Sequence, residues 1–167
     1  MRAVRALYAL ASILPLLAAC ASAPTSSPSK ASSASKAAPR ASEAAADNAA
    51  THAAKMIGRP YHFGGATPAA GFDCSGLVQY GYRQAGVSLP HNTDKQRQVS
   101  RHVDLADLRR GDLLFFDQEG KKNSHVGIYL GRGMFVHAPS SGKTVRSDRL
   151  EAPYWKKHLS EVRRLAA

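Results

Sequence analysis

The sequence is poor in cysteine, since Cys20 and Cys74 are the only two in 167 residues. It also lacks C-x-x-C and H-x-x-x-H pairs, the closely spaced ligands from which zinc sites are often built. Internal repeats are absent, and the basic residues behind the formal net charge of +11 occur as isolated pairs rather than as a stripe. Nucleic-acid binding is therefore not expected. This positive net charge fits a protein that works near anionic polymers or lipid headgroups, and it equally fits a protein whose surface is simply well solvated.

The one long apolar run, residues 6–19, is too short to span a bilayer, which needs about 20 residues. It follows two arginines, as in a secretion signal. The run ends in Leu17-Ala18-Ala19-Cys20, which resembles the lipobox of bacterial lipoproteins, where the cysteine is lipidated and becomes the mature N-terminus. We therefore predict a lipoprotein signal peptide over 1–20 with lipid on Cys20. The alternative is an ordinary signal peptide with a chance cysteine.

Residues 21–46 consist almost entirely of alanine, serine and proline and contain no bulky apolar side chain. Such a segment cannot bury enough surface to offset the entropy cost of ordering. We predict a disordered tether with a typical span of roughly 30 Å, followed by one folded domain over 47–167.

Within that domain the period of the apolar residues changes from 3.6 to 2 after Gly111. Helices are predicted from Asp47 to about Ile57 and from Cys74 to Ala85, and Thr93 with Gln96 forms a capping-box pattern for a third. The predicted strands are 113–116, 126–130, 134–138, 144–147 and 159–165. Helices followed by a meander of strands indicate the α+β class, with N-terminal helices packed on a C-terminal antiparallel sheet.

If Cys20 carries lipid, Cys74 has no disulfide partner within the chain, and it remains a small buried hydrophobe, a metal ligand or a nucleophile. Its place at a helix start favours the thiolate. His125 and His137 lie in neighbouring strands at equal distance from Gly131, which predicts that they face each other across a hairpin. One histidine could accept the thiol proton as a general base, while the second histidine orients the imidazole of the first. The same three side chains could instead hold zinc with a fourth position open.

A set of motifs in this order is similar to the NlpC-type cell-wall endopeptidases, which are papain-like cysteine peptidases. The motifs are Pro60-Tyr61-His62-Phe63-Gly64-Gly65, Asp73-Cys74-Ser75-Gly76, Arg110-Gly111-Asp112-Leu113, Ser124-His125-Val126-Gly127-Ile128-Tyr129 and Val136-His137-Ala138. The resemblance implies a papain-like fold and attack of the cysteine on a peptide bond of the peptidoglycan stem. It implies no metal and no organic cofactor.

By the same resemblance Cys74 is the nucleophile, His125 the general base and His137 the third polar residue, which holds the base. The remaining matches, near the oxyanion site or in the substrate site, are Tyr61, Asp73 and Ser75. One departure is Phe63, because a tryptophan is frequent at that position in the family.

The sequence thus predicts a lipid-anchored, exported, monomeric cysteine endopeptidase whose partner is peptidoglycan. Ala21 after Cys20 suggests sorting to the outer membrane, facing the periplasm. Two other classes stay open: a catalytically silent wall-binding module with the same fold, and an amidase or acyltransferase on the same scaffold.

Overall fold

The structure, a computed structural model, describes residues 34–165. Its helices are α1 (Ala34–Ala54), α2 (Cys74–Gln84), α3 (Thr93–Gln98) and α4 (Pro153–His158). Its strands are β1 (Ala66–Thr67), β2 (Gly71–Phe72), β3 (Ser100–His102), β4 (Leu113–Gln118), β5 (Lys121–Gly131), β6 (Met134–His137), β7 (Arg146–Arg149) and β8 (Leu159–Leu165). None of these helices is long and apolar enough to cross a membrane.

The main sheet has six strands in the order β3-β8-β4-β5-β6-β7, and every neighbouring pair is antiparallel. Strands β1 and β2 form a separate two-stranded ribbon just before α2. Three helices precede most of the sheet in the chain, and the strands from β4 onward are joined mostly by short turns. The α+β arrangement predicted from the sequence is confirmed.

The main sheet separates two clusters of buried apolar side chains. Helices α1 and α2 cover one face, and they approach so closely that a Cβ on Gly81 would lie 2.7 Å from the Ala49 carbonyl oxygen. Trp155 of α4 packs on the other face against Phe116 and Phe135. Strand residues therefore alternate between a helix-covered core and a smaller aromatic core.

Helix α1 begins at Ala34, earlier than the predicted start at Asp47. Alanine-rich sequence favours helix wherever one end can dock, and the end of the predicted tether does dock. Ala46 packs against the core, and Glu43 pairs with Arg109 at 2.6 Å. Residues 1–33, including the predicted signal peptide, the predicted lipidation site Cys20 and the first half of the predicted tether, lie outside the described residues.

The hairpin between β5 and β6 turns at Arg132 and Gly133, both of which have positive φ, as two-residue hairpin loops require. Its register differs from the symmetric one predicted around Gly131. Ile128 pairs with Val136, and a bulge near Gly131 takes up the difference. His125 and His137 therefore lie diagonally across the two strands rather than directly opposite, and still on the same face.

Candidate active site

The site is built around the first turn of α2, which Asp73 caps. One carboxylate oxygen of Asp73 accepts the Gly76 amide at 2.6 Å and the Ser75 hydroxyl at 3.1 Å, and the other accepts the Gly64 amide at 2.9 Å. Nε2 of His91 lies 2.9 and 3.0 Å from the two oxygens. Asp73 thus ties three segments together next to Cys74, which is the first residue of the helix.

Only glycine fits at position 76, because three segments converge there. A Cβ on this residue would lie 2.0 Å from the Gly65 carbonyl oxygen and 2.9 Å from Nε2 of His91. The loop that carries Tyr61 and the loop that carries His91 are therefore both held against the start of α2.

Helix α3 approaches the cysteine in a way that the sequence pattern did not predict. Asn92, not Thr93, caps it by accepting the Lys95 amide at 3.0 Å. Gln96 does not complete a capping box: its side chain is buried and donates to the carbonyls of Ser75 and Pro90, both at 2.8 Å. The Thr93 hydroxyl is thereby free to face Cys74, with Oγ1 3.8 Å from Sγ.

Burial raises the pKa of the Cys74 thiol, and the Asp73 carboxylate adds to this effect. Hydrogen bonds from the Thr93 hydroxyl and from the backbone N–H groups of Val126 and Ser75 oppose it. The place of Cys74 at a helix N-terminus predicts a stabilised thiolate. In the structure the cost of desolvation is larger, so the resting thiol is protonated. The Val126 amide also places the sulfur beside β5, next to the backbone of His125.

The side chains of His125, His137 and Asp148 form a row of hydrogen bonds across β5, β6 and β7. Nε2 of His125 lies 2.8 Å from Nδ1 of His137, and Nε2 of His137 lies 3.0 Å from Oδ2 of Asp148. His125 is 2% exposed and His137 is fully buried. Of the four imidazole nitrogens, only Nδ1 of His125 takes no part in these hydrogen bonds.

Trp155 closes the site on the side away from α2. Its indole ring is stacked against His125, with 5.8 Å between ring centroids, and meets His137 edge-on at 4.7 Å. The indole N–H donates to Oδ2 of Asp148 at 2.9 Å, and the Arg146 guanidinium donates to the same oxygen at 2.9 and 3.1 Å. Trp155 thus packs against both imidazoles, and Trp155 and Arg146 together hold the carboxylate that contacts His137.

Burial, with a smaller contribution from the charge of His137, lowers the pKa of His125 to about 3. Burial also lowers the pKa of His137 to about 4, although the hydrogen bond and the charge of Asp148 act in the opposite direction. Partial burial opposes ionisation of Asp148, but hydrogen bonds from His137 and Arg146 hold its pKa below the usual value. At neutral pH two neutral imidazoles therefore lie beside one carboxylate.

A cleft of about 600 Å³ opens in front of Cys74. Its lining residues are Tyr61, Phe63, Gly64, Asp73, Cys74, Ser75, His91, Asn92, Thr93, Asp94, Lys121, Lys122, Asn123 and Ser124. Four of the six predicted active-site residues line it, whereas the two histidines are buried and do not. Phe63 at the rim is 84% exposed, which is unusual for so large an apolar side chain.

Tyr61 lies in the cleft beside the cysteine. Its pKa is raised by burial first, and then by the negative charges of Cys74 and Asp73. A raised pKa keeps the phenol protonated, so the hydroxyl remains a hydrogen-bond donor at neutral pH.

The alternative of a zinc site finds little support in the geometry of the histidines. Both ring nitrogens of His137 and one of His125 are already engaged in the chain that ends at Asp148. Within residues 34–165, no group of three or more His, Cys, Asp or Glu side chains is arranged to hold a metal ion.

Residues 58–164 match the NlpC/P60 family. The chain belongs to the NlpC/P60 family. A solved NlpC/P60 structure from Staphylococcus aureus, described as similar to a lipoprotein, superposes with a TM-score of 0.65 at 36% identity, covering 74% of this chain and 42% of that one. The peptidoglycan hydrolase RipB from Mycobacterium tuberculosis superposes with a TM-score of 0.64 at 30% identity, covering 79% of this chain and 70% of that one. The predicted papain-like fold is confirmed.

Among curated NlpC/P60 relatives, the probable endopeptidase YafL of Escherichia coli is 42% identical over 115 residues, 66% of this chain and 46% of that protein. The murein DD-endopeptidase MepS/murein LD-carboxypeptidase of Escherichia coli is 43% identical over 113 residues, 67% of this chain and 58% of that protein. The chain thus spans roughly half the length of these relatives. Several proteins of the family are named for hydrolysis of the bacterial cell wall.

The structure brings Tyr61, Asp73, Cys74 and Ser75 together at one cleft and His125 and His137 into hydrogen-bond contact. The sequence predicts no role in the site for Asp148, Trp155 or His91, and it predicts Thr93 only as part of a helix cap. No spacing rule connects these residues to the cysteine, because each reaches the site through tertiary packing. The only available signal was Gln96, whose side chain donates to the carbonyls of Ser75 and Pro90 and so ties α3 to the start of α2.

The buried histidine pair predicts a loss of stability in mild acid. Unfolded histidines take up protons below about pH 6.5, whereas the folded pair stays neutral down to about pH 4 for His137 and about pH 3 for His125. Stability is therefore complete above pH 6.5 and falls as the pH decreases, by on the order of 2–3 kcal/mol per histidine between pH 6.5 and 4. Urea unfolding of the chain at a series of pH values measures this slope.

The variant His125→Gln should show a shallower decrease, because one of the two buried imidazoles is gone. His102→Gln, which removes an exposed histidine, should keep the wild-type slope. Equal slopes for wild type and His125→Gln would contradict a neutral, buried His125.

Proposed function

We propose that this protein is a peptidoglycan endopeptidase that cleaves amide bonds of stem peptides or cross-links through an acyl-enzyme on Cys74. The observation that carries the proposal is the buried, hydrogen-bonded pair His125–His137. His125 directly precedes Val126, whose backbone amide contacts the sulfur of Cys74, a helix-start cysteine that opens into a cleft. A protein that only bound the wall would not need this buried polar arrangement, whose desolvation has to be offset. Membership of the NlpC/P60 family supports the same conclusion.

In the proposed reaction Nδ1 of His125 accepts the thiol proton as the sulfur attacks the scissile carbonyl carbon. The tetrahedral intermediate then collapses: the carbon–nitrogen bond breaks, and the proton on His125 passes to the leaving amine. Water, deprotonated by the same nitrogen, hydrolyses the thioester and restores the thiol. His137 keeps the His125 ring in position throughout.

The oxyanion of the tetrahedral intermediate needs donors aimed at the carbonyl oxygen. Tyr61, whose phenol stays protonated, is one donor. The backbone N–H of Cys74 is the second, because the first N–H groups of a helix have no partner within the helix. Both donors lie at the start of α2, where the helix dipole also favours negative charge.

The charges of the cleft fit a peptide that carries both carboxylates and free amines. Asp73 and Asp94 belong to the wall built from α2 and α3, and Lys121 and Lys122 are the first two residues of β5. Peptidoglycan stem peptides have this mixed character. Several relatives are named as murein or peptidoglycan hydrolases, which supports the assignment of the substrate class.

We further propose that Cys20 carries the lipid anchor and holds the protein at the outer membrane, facing the periplasm. The lipobox-like run before Cys20 and the Ala/Ser/Pro segment after it support this placement. A peptidase so attached has to reach across to the wall, for which a tether is suited.

The principal test compares the full chain with Cys74→Ala on purified peptidoglycan, with the released fragments weighed by mass spectrometry. We expect new stem-peptide fragments from the wild type only, because the variant has no nucleophile, and their masses identify the bond. No fragments from a wild type whose Cys74 still reacts with an alkylating agent would favour a different acyl substrate. No fragments together with an inert thiol would favour the binding module.

A second test removes the proposed oxyanion donor. Tyr61→Phe deletes one hydroxyl and should lower kcat/KM about 100-fold, the usual effect of losing one such donor. Tyr80→Phe is the matched control, since Tyr80 is half-buried on α2 and is not part of the cleft lining. Equal loss in both variants, or no loss in Tyr61→Phe, would reject Tyr61 as a donor.

A third test compares substitutions of the two cysteines, Cys20 and Cys74, in cells grown with labelled palmitate. Cys20→Ala should lose the label and leave the membrane fraction while the purified protein still cleaves peptidoglycan. Cys74→Ala should keep the label and the membrane location but lose cleavage. Label retained on Cys20→Ala would rule out Cys20 as the anchor.

A further inference from the structure

Asp148 hydrogen-bonds to His137 of the buried imidazole pair and is not among the residues that line the cleft. It lies on β7 directly opposite Phe135 of β6, and His137 is two residues further along β6 on the same face. This diagonal placement brings Oδ2 to 3.0 Å from Nε2 of His137. The carboxylate is only partly buried, whereas the imidazole it contacts is fully buried.

The hydrogen bonds of this chain determine which nitrogens carry protons. A carboxylate can only accept, so Nε2 of His137 must be the protonated nitrogen, and Nδ1 of the same neutral ring must be an acceptor. That acceptor faces Nε2 of His125, which must therefore donate. Nδ1 of His125 is then unprotonated. The only nitrogen that the chain leaves unused is thus in the form required of a base.

We propose that Asp148 is a positioning residue that selects the Nε2–H tautomer of His137 and, through it, keeps Nδ1 of His125 available to accept the thiol proton. The inference rests on the proposed function for its catalytic consequence. The opposite tautomers would reverse the hydrogen bond between the two imidazoles and set an unprotonated Nε2 of His137 against a carboxylate that cannot donate. They would also place a proton on Nδ1 of His125, where a base is needed. Without a carboxylate at position 148, little else distinguishes the two arrangements.

The surroundings of Asp148 favour an ionised carboxylate in one orientation. The Trp155 indole and the Arg146 guanidinium are obligate donors, and both address Oδ2, the oxygen that His137 also contacts. A proton on that oxygen would conflict with all three. Asp148 is also well placed to offset positive charge on His125. When His125 accepts the thiol proton it becomes an imidazolium, and only the hydrogen-bonded ring of His137 separates it from Asp148.

The test uses the full chain in detergent and two measurements, of which the first needs no substrate. In wild type, ¹H–¹⁵N correlation spectra of the imidazole nitrogens should show the Nε2–H tautomer for His137 and for His125. An Nδ1–H tautomer of His137 in the wild type would overturn the proposal, whatever the variants do.

In Asp148→Ala the same spectra should show a substantial Nδ1–H population for His137. The variant should lose about 10- to 100-fold in kcat on peptidoglycan, the usual effect of removing a supporting hydrogen bond, with KM within about twofold. Asp148→Asn keeps an oxygen that Trp155 and Arg146 can hold in place, so it should restore the Nε2–H tautomer and part of the lost kcat. A purely structural role predicts no tautomer change and no such rescue.

Asp104→Asn provides the matched control, because it also removes one negative charge but from a carboxylate that is 82% exposed. It should leave the tautomers and kcat at wild-type values. A folded Asp148→Ala protein with wild-type tautomers would overturn the proposal. Wild-type protein with the expected tautomers but no cleavage of peptidoglycan would instead contradict the proposed function and leave the tautomer selection by Asp148 standing.

Discussion

The Asp73 carboxylate organises the part of the fold on which the site depends. It caps α2, accepts the Gly64 amide from the preceding loop and contacts His91 from the following one. Those three segments meet at a single helix end, and Gly76 leaves no room for a side chain between them. The position of Cys74 is therefore set by backbone contacts around a buried cap, and a change in any of the three segments would move the sulfur.

The histidine pair depends on a second constraint, which is burial against aromatic rings. Two imidazoles in a desolvated site remain neutral because the charged form would lose its hydration, and Phe116, Phe135 and Trp155 supply that environment. The hydrogen bond between His125 and His137 satisfies polar atoms that water cannot reach. The protonation state of the two imidazoles therefore depends on the packing around them, because the aromatic rings that exclude water also keep the imidazoles uncharged.

The elements with a strong local pattern could be predicted from sequence, namely α2 and the hairpin that brings His125 and His137 to one face. Features decided by tertiary contacts could not. The early start of α1 depends on docking, and the hairpin register depends on a bulge. Strand β7 has the polar sequence Arg-Ser-Asp-Arg, which shows no apolar alternation, so its true bounds and the place of Asp148 follow only from pairing with β6.

Two opposing influences on Cys74 explain why the resting site is neutral. The helix end and three hydrogen bonds favour the thiolate, whereas burial and the Asp73 charge disfavour it, and burial is the largest effect. A protonated thiol is the less nucleophilic form, because the thiolate is the nucleophile. In the proposed reaction, proton transfer to His125 becomes favourable only as the sulfur bonds to a carbonyl carbon and negative charge moves to the proposed oxyanion donors. The proposed site is thus activated by the transition state that it binds rather than by a standing ion pair.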